Sequence, residues 1–107
     1  MTLLDVIVES LEDKKAQDIK VVDFKNTSPI CDYFVICDAP STRQVNAIYH
    51  DVEKAILNAG YDILPQKGQS DSKWIVIDAH DVIVHIFQSD ERAYYNMEKL
   101  YTGYVRD

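Results

Sequence analysis

The sequence lacks the features that mark membrane-spanning and secreted proteins. No apolar run approaches the roughly 18–20 residues that a membrane-spanning helix requires. The amino-terminal segment, Met-Thr-Leu-Leu-Asp, has no basic region of the kind that opens a signal peptide. We therefore expect a cytoplasmic protein with no membrane contact. The 107 residues, 47% hydrophobic and 27% charged, predict a single globular domain over residues 1–107.

Cysteine is scarce as well. The two cysteines, Cys31 and Cys37, show neither a CxxC spacing nor the dense pattern of a disulfide framework. Because Cys37 ends the apolar run Tyr33–Ile36, a buried thiol is favoured over a redox role. The cysteines and the three histidines have no recognisable zinc-ligand spacing. We expect neither a metal ion nor another cofactor.

A cluster of basic residues is also missing. The net charge is −7, and Lys14, Lys15, Lys20 and Lys25 are scattered among acidic residues. Nucleic-acid binding depends on clustered Lys and Arg, because neutralising phosphates supplies most of the affinity. Direct binding to DNA or RNA is therefore disfavoured. An acidic chain is suited instead to a basic protein surface.

The elements that are present predict an α/β fold. Thr2 is placed to cap a first helix, and Ser41 begins the longest helix, which a glycine cap at Gly60 ends. Apolar runs predict strands at 19–24, 33–37 and 61–64, followed by a hairpin and a last helix that opens at Ser89. This order predicts a mixed β-sheet of about five strands packed with three helices.

The hairpin has two apolar runs around a short polar break, within residues 73–87. With Ala79 and His80 as a two-residue turn, Trp74 faces His85 and Asp78 faces Asp81. Because side chains alternate along a strand, one face is wholly aliphatic and the other mixes an aromatic ring with polar groups. The aliphatic face is Ile75, Ile77, Val82, Val84 and Ile86; the mixed face is Trp74, Val76, Asp78, Asp81, Ile83 and His85. A four-residue loop preserves both faces.

The mixed face allows two interpretations. It suits a protein-binding surface, in which an apolar patch is surrounded by polar groups. Alternatively, a second layer covers Trp74, and His85 is a core residue with satisfied hydrogen bonds. The tyrosines spaced along the last helix, Tyr94, Tyr101 and Tyr104, more often belong to a core than to an interface.

Motifs for catalysis are not found. The sequence has no P-loop and no G-x-S-x-G elbow, and neither cysteine has the context of an activated nucleophile. Asp78 and His85 could form an acid–base pair only across the length of the hairpin.

Several segments, taken in order, carry a family resemblance over essentially the whole chain. They are Gln17-Asp-Ile19, Asp32-Tyr-Phe-Val-Ile36, Ser41-Thr-Arg-Gln-Val45, Trp74-Ile-Val-Ile-Asp78, Asp81-Val-Ile-Val-His85-Ile-Phe87, Arg92 and Tyr95-Asn-Met-Glu98-Lys-Leu100. As a set they resemble the ribosomal silencing factors, also called Iojap-like proteins. His80 stands where this family usually has a turn glycine, and histidine tolerates the left-handed conformation better than most residues.

The resemblance implies a nucleotidyltransferase-like fold without its active site. In such enzymes a Gly-Ser turn opens a helix, and a nearby strand supplies paired carboxylates for magnesium. Here the turn reads Asp38-Ala-Pro-Ser41, in which Pro40 has no backbone N–H, and the next predicted strand offers only Asp62. We therefore expect no enzyme activity.

The resemblance also implies a function. Members of the family bind the large ribosomal subunit through ribosomal protein L-fourteen, block joining of the small subunit and repress translation when nutrients are short. The alternatives are a factor for large-subunit assembly or maturation and, less favoured, a nucleotidyltransferase-like enzyme. A homodimer through the mixed face or an edge strand is also plausible. The residues expected to contact the partner are Trp74, Asp78, Asp81, His85, Arg92, Tyr95 and Glu98.

Overall fold

A computed structural model of the chain describes residues 2–64 and 73–105, except for the side chain of Glu98. The elements are α1 (Leu3–Asp13), β1 (Gln17–Asp23), β2 (Tyr33–Ala39), α2 (Thr42–Asn58), β3 (Trp74–Asp78), β4 (Val82–Gln88), α3 (Ser89–Tyr95) and a 3-10 helix (Met97–Tyr104). None of the described helices combines the length and the apolar character needed to cross a membrane. The mixed α/β architecture with three α-helices confirms the predicted fold class.

The sheet has the strand order β1-β2-β4-β3 in the described part of the chain. The central pair, β2 and β4, is parallel, and the two outer pairings are antiparallel. Within residues 2–64 and 73–105 the sheet has four strands where about five were predicted, because residues 61–64 form no strand. The Leu64 N–H donates to the Asp78 carbonyl (2.8 Å), which brings this segment to the end of β3. One such bond does not make a strand.

Local capping explains where α1 and α2 begin. The Thr2 hydroxyl accepts from the Asp5 N–H (3.1 Å), while the Asp5 carboxylate accepts from the Thr2 N–H (3.2 Å), which completes a capping box. In α2, the Ser41 hydroxyl accepts from the Gln44 N–H (3.2 Å). Gly60 follows α2 with φ +90, a conformation that glycine adopts without strain. These predicted helix ends are confirmed.

The hairpin register differs by two residues from the prediction. Trp74 pairs with Phe87, Val76 with His85, and Asp78 with Ile83. The turn therefore has His80 and Asp81 at its centre, and the Ala79 N–H donates to the Val82 carbonyl (3.0 Å). His80 takes φ +70, in the left-handed region that a primed hairpin turn requires. The predicted pairing of Asp78 with Asp81 was wrong, but a shift by two residues preserves both faces.

The last predicted helix is interrupted. Helix α3 ends at Asn96, which has φ 47 and ψ 50 and so takes the left-handed cap conformation. The chain continues as the 3-10 helix, which has a further irregularity at Tyr101 (φ −123). A continuous helix from Ser89 to Tyr104 is therefore incorrect.

The two faces of the sheet build two cores. The aliphatic face packs on α1 and α2. The resulting core contains the buried sheet residues Val35, Cys37, Ile75, Ile77, Val84 and Ile86, and the buried α2 residues Val45, Val52 and Ile56. The opposite face forms a smaller cluster around Val22, Phe24, Ile36 and Phe87. Tyr101 of the 3-10 helix packs against this cluster. Both cysteines are buried, which confirms the prediction made for Cys37.

Candidate protein-binding site

Three aromatic side chains lie together at one end of the mixed face, and we call them the aromatic patch: Trp74, Tyr94 and Tyr95. They are 39%, 81% and 50% exposed. The Trp74 ring stacks on Phe87 beneath it, with centroids 4.8 Å apart and planes 24° apart. Tyr95 lies 5.1 Å from Trp74, and Tyr94 contacts Tyr95 edge to face at 5.1 Å. Large aromatic rings that are half exposed yet fixed by neighbours are typical of interface hot spots.

His85 lies behind the patch and not on its surface. It is 6% exposed, and its Nδ1 accepts a hydrogen bond from the Trp74 indole N–H (3.2 Å). Burial lowers the pKa of the imidazole from 6.5 to about 4. The ring is therefore neutral at pH 7. Trp74 is therefore partly exposed on the mixed face, whereas His85 is buried beneath it, and its Nε2 has no hydrogen-bond partner among the described residues.

Arg92 does not join the exposed surface, contrary to the prediction. It is 5% exposed, and its Nη1 donates to the Asp38 carboxylate (3.2 Å) and to the Asp18 carbonyl (2.6 Å). Its Nη2 lies 3.4 Å from the Asp18 carboxylate. Because Asp18 belongs to β1 and Asp38 to β2, Arg92 ties α3 to both strands. This anchor sets the position of Tyr95, one helical turn further along.

The first turn of α3 is fixed by side chains as well. The side-chain oxygen of Gln88 accepts from the Asp90 N–H (3.1 Å), so Gln88 is the N-cap and α3 begins at Ser89, as predicted. The Gln88 side-chain amide also donates to the Pro40 carbonyl (3.0 Å). Asp90 and Glu91 lie in the first turn, where negative charge favours a helix.

The two predicted carboxylates lie at the other end of the hairpin. The Asp78 side chain accepts from the His80 N–H (2.9 Å), and the Asp81 carbonyl accepts from the Asp32 and Tyr33 N–H groups. Asp81 is exposed and Asp78 is half-buried. Within residues 2–64 and 73–105, no basic group lies within ion-pair distance of either carboxylate. Both charges are therefore available to a cation from outside the chain.

The structure thus separates the seven predicted contact residues. Trp74 and Tyr95 are both exposed. Asp78 lies about 13 Å from Trp74 along β3, at roughly 3.3 Å per residue, and Asp81 lies in the adjoining turn. His85 and Arg92 are buried supports. The side chain of Glu98 lies outside the described part of the structure.

Tyr94 was missed as a surface residue, since its helical spacing favoured a core role. A signal was present in the sequence, because Tyr94 and Tyr95 are adjacent. Neighbouring helical residues point about 100° apart, so two consecutive tyrosines on a short surface helix are not both buried. Phe87, the platform beneath Trp74, was missed because the predicted register paired Trp74 with His85.

In the Asp38–Ser41 turn, which was considered above for nucleotidyltransferase chemistry, the polar side chains form hydrogen bonds and ion pairs within the protein. The Asp38 carboxylate is 9% exposed and paired with Arg92, and the Ser41 hydroxyl caps α2. Among residues 2–64 and 73–105, no three His, Cys, Asp or Glu side chains are grouped closely enough to bind a metal ion.

Comparison with known proteins decides the family. The model of the family described as "Ribosomal silencing factor during starvation" matches residues 1–107. The chain belongs to the ribosomal silencing factor family. The ribosomal silencing factor of Halalkalibacterium halodurans is 42% identical over 99 residues, which are 92% of this chain and 85% of that protein. The Bacillus subtilis factor is 36% identical over 100 residues, with 94% and 85% covered.

More distant relatives and solved structures agree with this assignment. The mouse protein named "Mitochondrial assembly of ribosomal large subunit protein 1" is 28% identical over 102 residues, which are 92% of this chain and 45% of that protein. The chloroplastic Iojap protein of maize is 30% identical over 98 residues, with 89% and 41% covered. A crystal structure from Bacillus halodurans superposes with a TM-score of 0.84 at 39% identity, covering 98% of this chain and 96% of the other. A crystal structure from Chromobacterium violaceum has a TM-score of 0.86 at 30% identity, covering 95% and 88%.

Proposed function

We propose that this ribosomal silencing factor binds the large ribosomal subunit through ribosomal protein L-fourteen and sterically blocks joining of the small subunit. Translation is thereby repressed under nutrient limitation, in the cytoplasm. The observation that carries the proposal is the aromatic patch, a fixed and half-exposed Trp74 with Tyr95 and Tyr94 beside it. No chemical step is required, because an occupied interface excludes the competing subunit.

Charge supports a basic partner. The chain carries a net charge of −7, and Asp78 and Asp81 have no ion-pair partner among the described residues. Complementary charge mainly raises the association rate. Salt screens the attraction between exposed charges that are more than about 8–10 Å apart. The aromatic patch supplies the apolar contact, and the carboxylates orient the encounter with a Lys- or Arg-rich surface.

Sedimentation with purified subunits tests the proposed partner. We expect the protein to co-migrate with large subunits in a sucrose gradient, with weaker association as the salt concentration rises. We also expect that adding it before small subunits reduces the formation of complete ribosomes, as measured by light scattering. Migration with small subunits alone, or with neither subunit, would contradict the proposal.

Substitution tests the aromatic patch. Trp74→Ala is expected to weaken large-subunit binding by about 2 kcal/mol or more, roughly thirtyfold, which is the effect typical of an interface hot spot. The matched control is Leu57→Ala, which removes a side chain of comparable exposure (48%) from α2, on the opposite face of the sheet. Urea denaturation of both variants separates binding from folding. Binding of a folded Trp74→Ala protein at the native affinity would remove the patch from the interface.

A second candidate is a role in maturation of the large subunit, which the printed name of the mouse relative favours. The same interface would serve it, but at a different time in the life of the subunit. Depletion in cells distinguishes the two. A maturation factor leaves precursors of the large subunit in gradients during growth, whereas a silencing factor leaves mature subunits and a higher rate of translation in starvation.

A further inference from the structure

His85 places a polar ring inside an aromatic cluster. Its imidazole packs edge-on against Phe34, with centroids 4.8 Å apart, and nearly parallel to Phe87 at 6.4 Å. Its partners on the two adjacent strands are Val76 of β3 and Ile36 of β2. These neighbours are aromatic or aliphatic and would pack equally well on an apolar side chain.

The hydrogen bond to Trp74 defines which nitrogen of His85 carries the proton. Nδ1 accepts the indole N–H at 3.2 Å, so the neutral ring must carry its proton on Nε2. Nε2 is buried and has no hydrogen-bond partner among the described residues. An unpaired buried donor opposes folding, because it loses water without gaining a partner. Histidine at this position therefore carries a cost to folding, and the one hydrogen bond that it makes is the bond to Trp74.

We infer that His85 is a positioning residue for binding: its Nδ1 holds the Trp74 indole N–H and fixes the ring in the aromatic patch. The inference rests on the proposed function, in which Trp74 contacts the partner. Phe87 limits the ring from beneath and Tyr95 from the side, while the hydrogen bond selects the ring orientation. A side chain that is already ordered loses less conformational entropy when it binds.

The same bond restricts what the patch recognises. Because the only N–H of the indole is already donated to His85, Trp74 offers its partner carbon atoms and the π-electrons of the ring. The complementary group is therefore an aliphatic side chain or a Lys or Arg cation, and not a hydrogen-bond acceptor such as a carboxylate or a carbonyl.

Two variants of His85 separate the acceptor from the bulk of the ring. His85→Leu puts a methyl group two bonds from Cβ, where Nδ1 was, and His85→Asn puts an amide oxygen there. We expect His85→Leu to remain at least as stable to urea as the native protein and to bind large subunits about tenfold more weakly. We expect His85→Asn to retain most of the native affinity. Native affinity in a folded His85→Leu protein would overturn the inference.

Hydrogen exchange in the unbound protein tests the His85–Trp74 hydrogen bond without any binding partner. Trp74 is the single tryptophan of the chain, so nitrogen-15 spectra contain one indole signal. We expect its N–H to exchange with water about tenfold faster in His85→Leu than in the native protein, and to be protected again in His85→Asn. An unchanged exchange rate in His85→Leu would overturn the inference even if that variant bound weakly.

The outcomes also distinguish this inference from the proposed function. If Trp74→Ala binds normally, the proposed interface is wrong and the positioning role has no binding to serve. If Trp74→Ala binds weakly while His85→Leu binds normally, the interface stands and the positioning role is rejected.

Should His85→Leu fail to fold at neutral pH, Trp74→Phe removes the donor of the same hydrogen bond. It is expected to weaken binding about tenfold, and native affinity in that variant rejects the role.

Discussion

Replacing Arg92 with methionine is expected to lower the free energy of unfolding by about 3–5 kcal/mol, the usual cost of removing one partner from a buried ion pair. Asp38 is only 9% exposed, and the substitution leaves its carboxylate without the guanidinium at 3.2 Å. The Asp18 carbonyl, which accepts from Arg92 at 2.6 Å, loses its donor as well. Urea denaturation measures the effect.

The matched control is a lysine on the surface that forms an ion pair with Asp18, one of the partners of Arg92. Lys20 is 44% exposed and lies 3.7 Å from the Asp18 carboxylate, so Lys20→Met is expected to cost less than about 1 kcal/mol. Adding Asp38→Leu to Arg92→Met removes the stranded charge and is expected to recover part of the loss. A cost for Arg92→Met no larger than that for Lys20→Met would show that the buried pair contributes little.

The second large effect is a loss of stability in acid through His85. Its pKa is 6.5 in the unfolded chain and about 4 in the folded protein, so between these values the unfolded chain binds the proton more readily. Stability from this group is complete above pH 6.5 and declines as the pH falls towards 4. At about 1.4 kcal/mol for each pH unit, the total is roughly 3 kcal/mol.

Comparing the native protein with His85→Leu separates the contribution of His85 from that of other groups that titrate in the same pH range. The native protein and His85→Leu are compared by urea denaturation at pH 7, 5.5 and 4. We expect the difference in stability to shift in favour of His85→Leu by roughly 3 kcal/mol over this range. Parallel pH profiles would show that the imidazole is not buried as described.

The aromatic patch depends on both of these buried residues. Arg92 holds α3 against β1 and β2, which places Tyr95 beside Trp74, and His85 fixes Trp74 from behind. Neither contacts the partner in the proposed function. Both were expected to do so, His85 because strand alternation places it on the mixed face and Arg92 because it lies on the adjoining last helix, but both side chains are buried.

Local sequence determined the helix ends and the faces of the hairpin. The caps at Thr2 and Ser41 involve groups three residues apart, so their partners are present in any local segment. Side chains alternate with a period of two, and a register shift of two residues leaves each on its predicted face. For this reason the aliphatic face was correctly predicted from a wrong register. The ordered family segments determined the family, which the family match confirms.

Only the tertiary structure decided the register of the hairpin, whether residues 61–64 form a strand, and whether Arg92 is buried. The turn moved to His80 and Asp81, where the Asp81 carbonyl accepts from Asp32 and Tyr33 of the neighbouring segment. Residues 61–64 have the composition of a strand, but a strand requires a ladder of hydrogen-bonded partners, and among the described residues the sheet provides none for this segment.

The partners of Arg92 show the physical reason most directly. Asp38 lies 54 positions before Arg92 and Asp18 lies 74 before it, so no periodic pattern around residue 92 contains them. The parallel pairing of β2 with β4 brings Asp38 next to Phe87, and α3 then carries Arg92 back over both strands. Burial of a charge is stable only where opposite charge and carbonyl groups converge, and that convergence is a property of strand order rather than of local sequence.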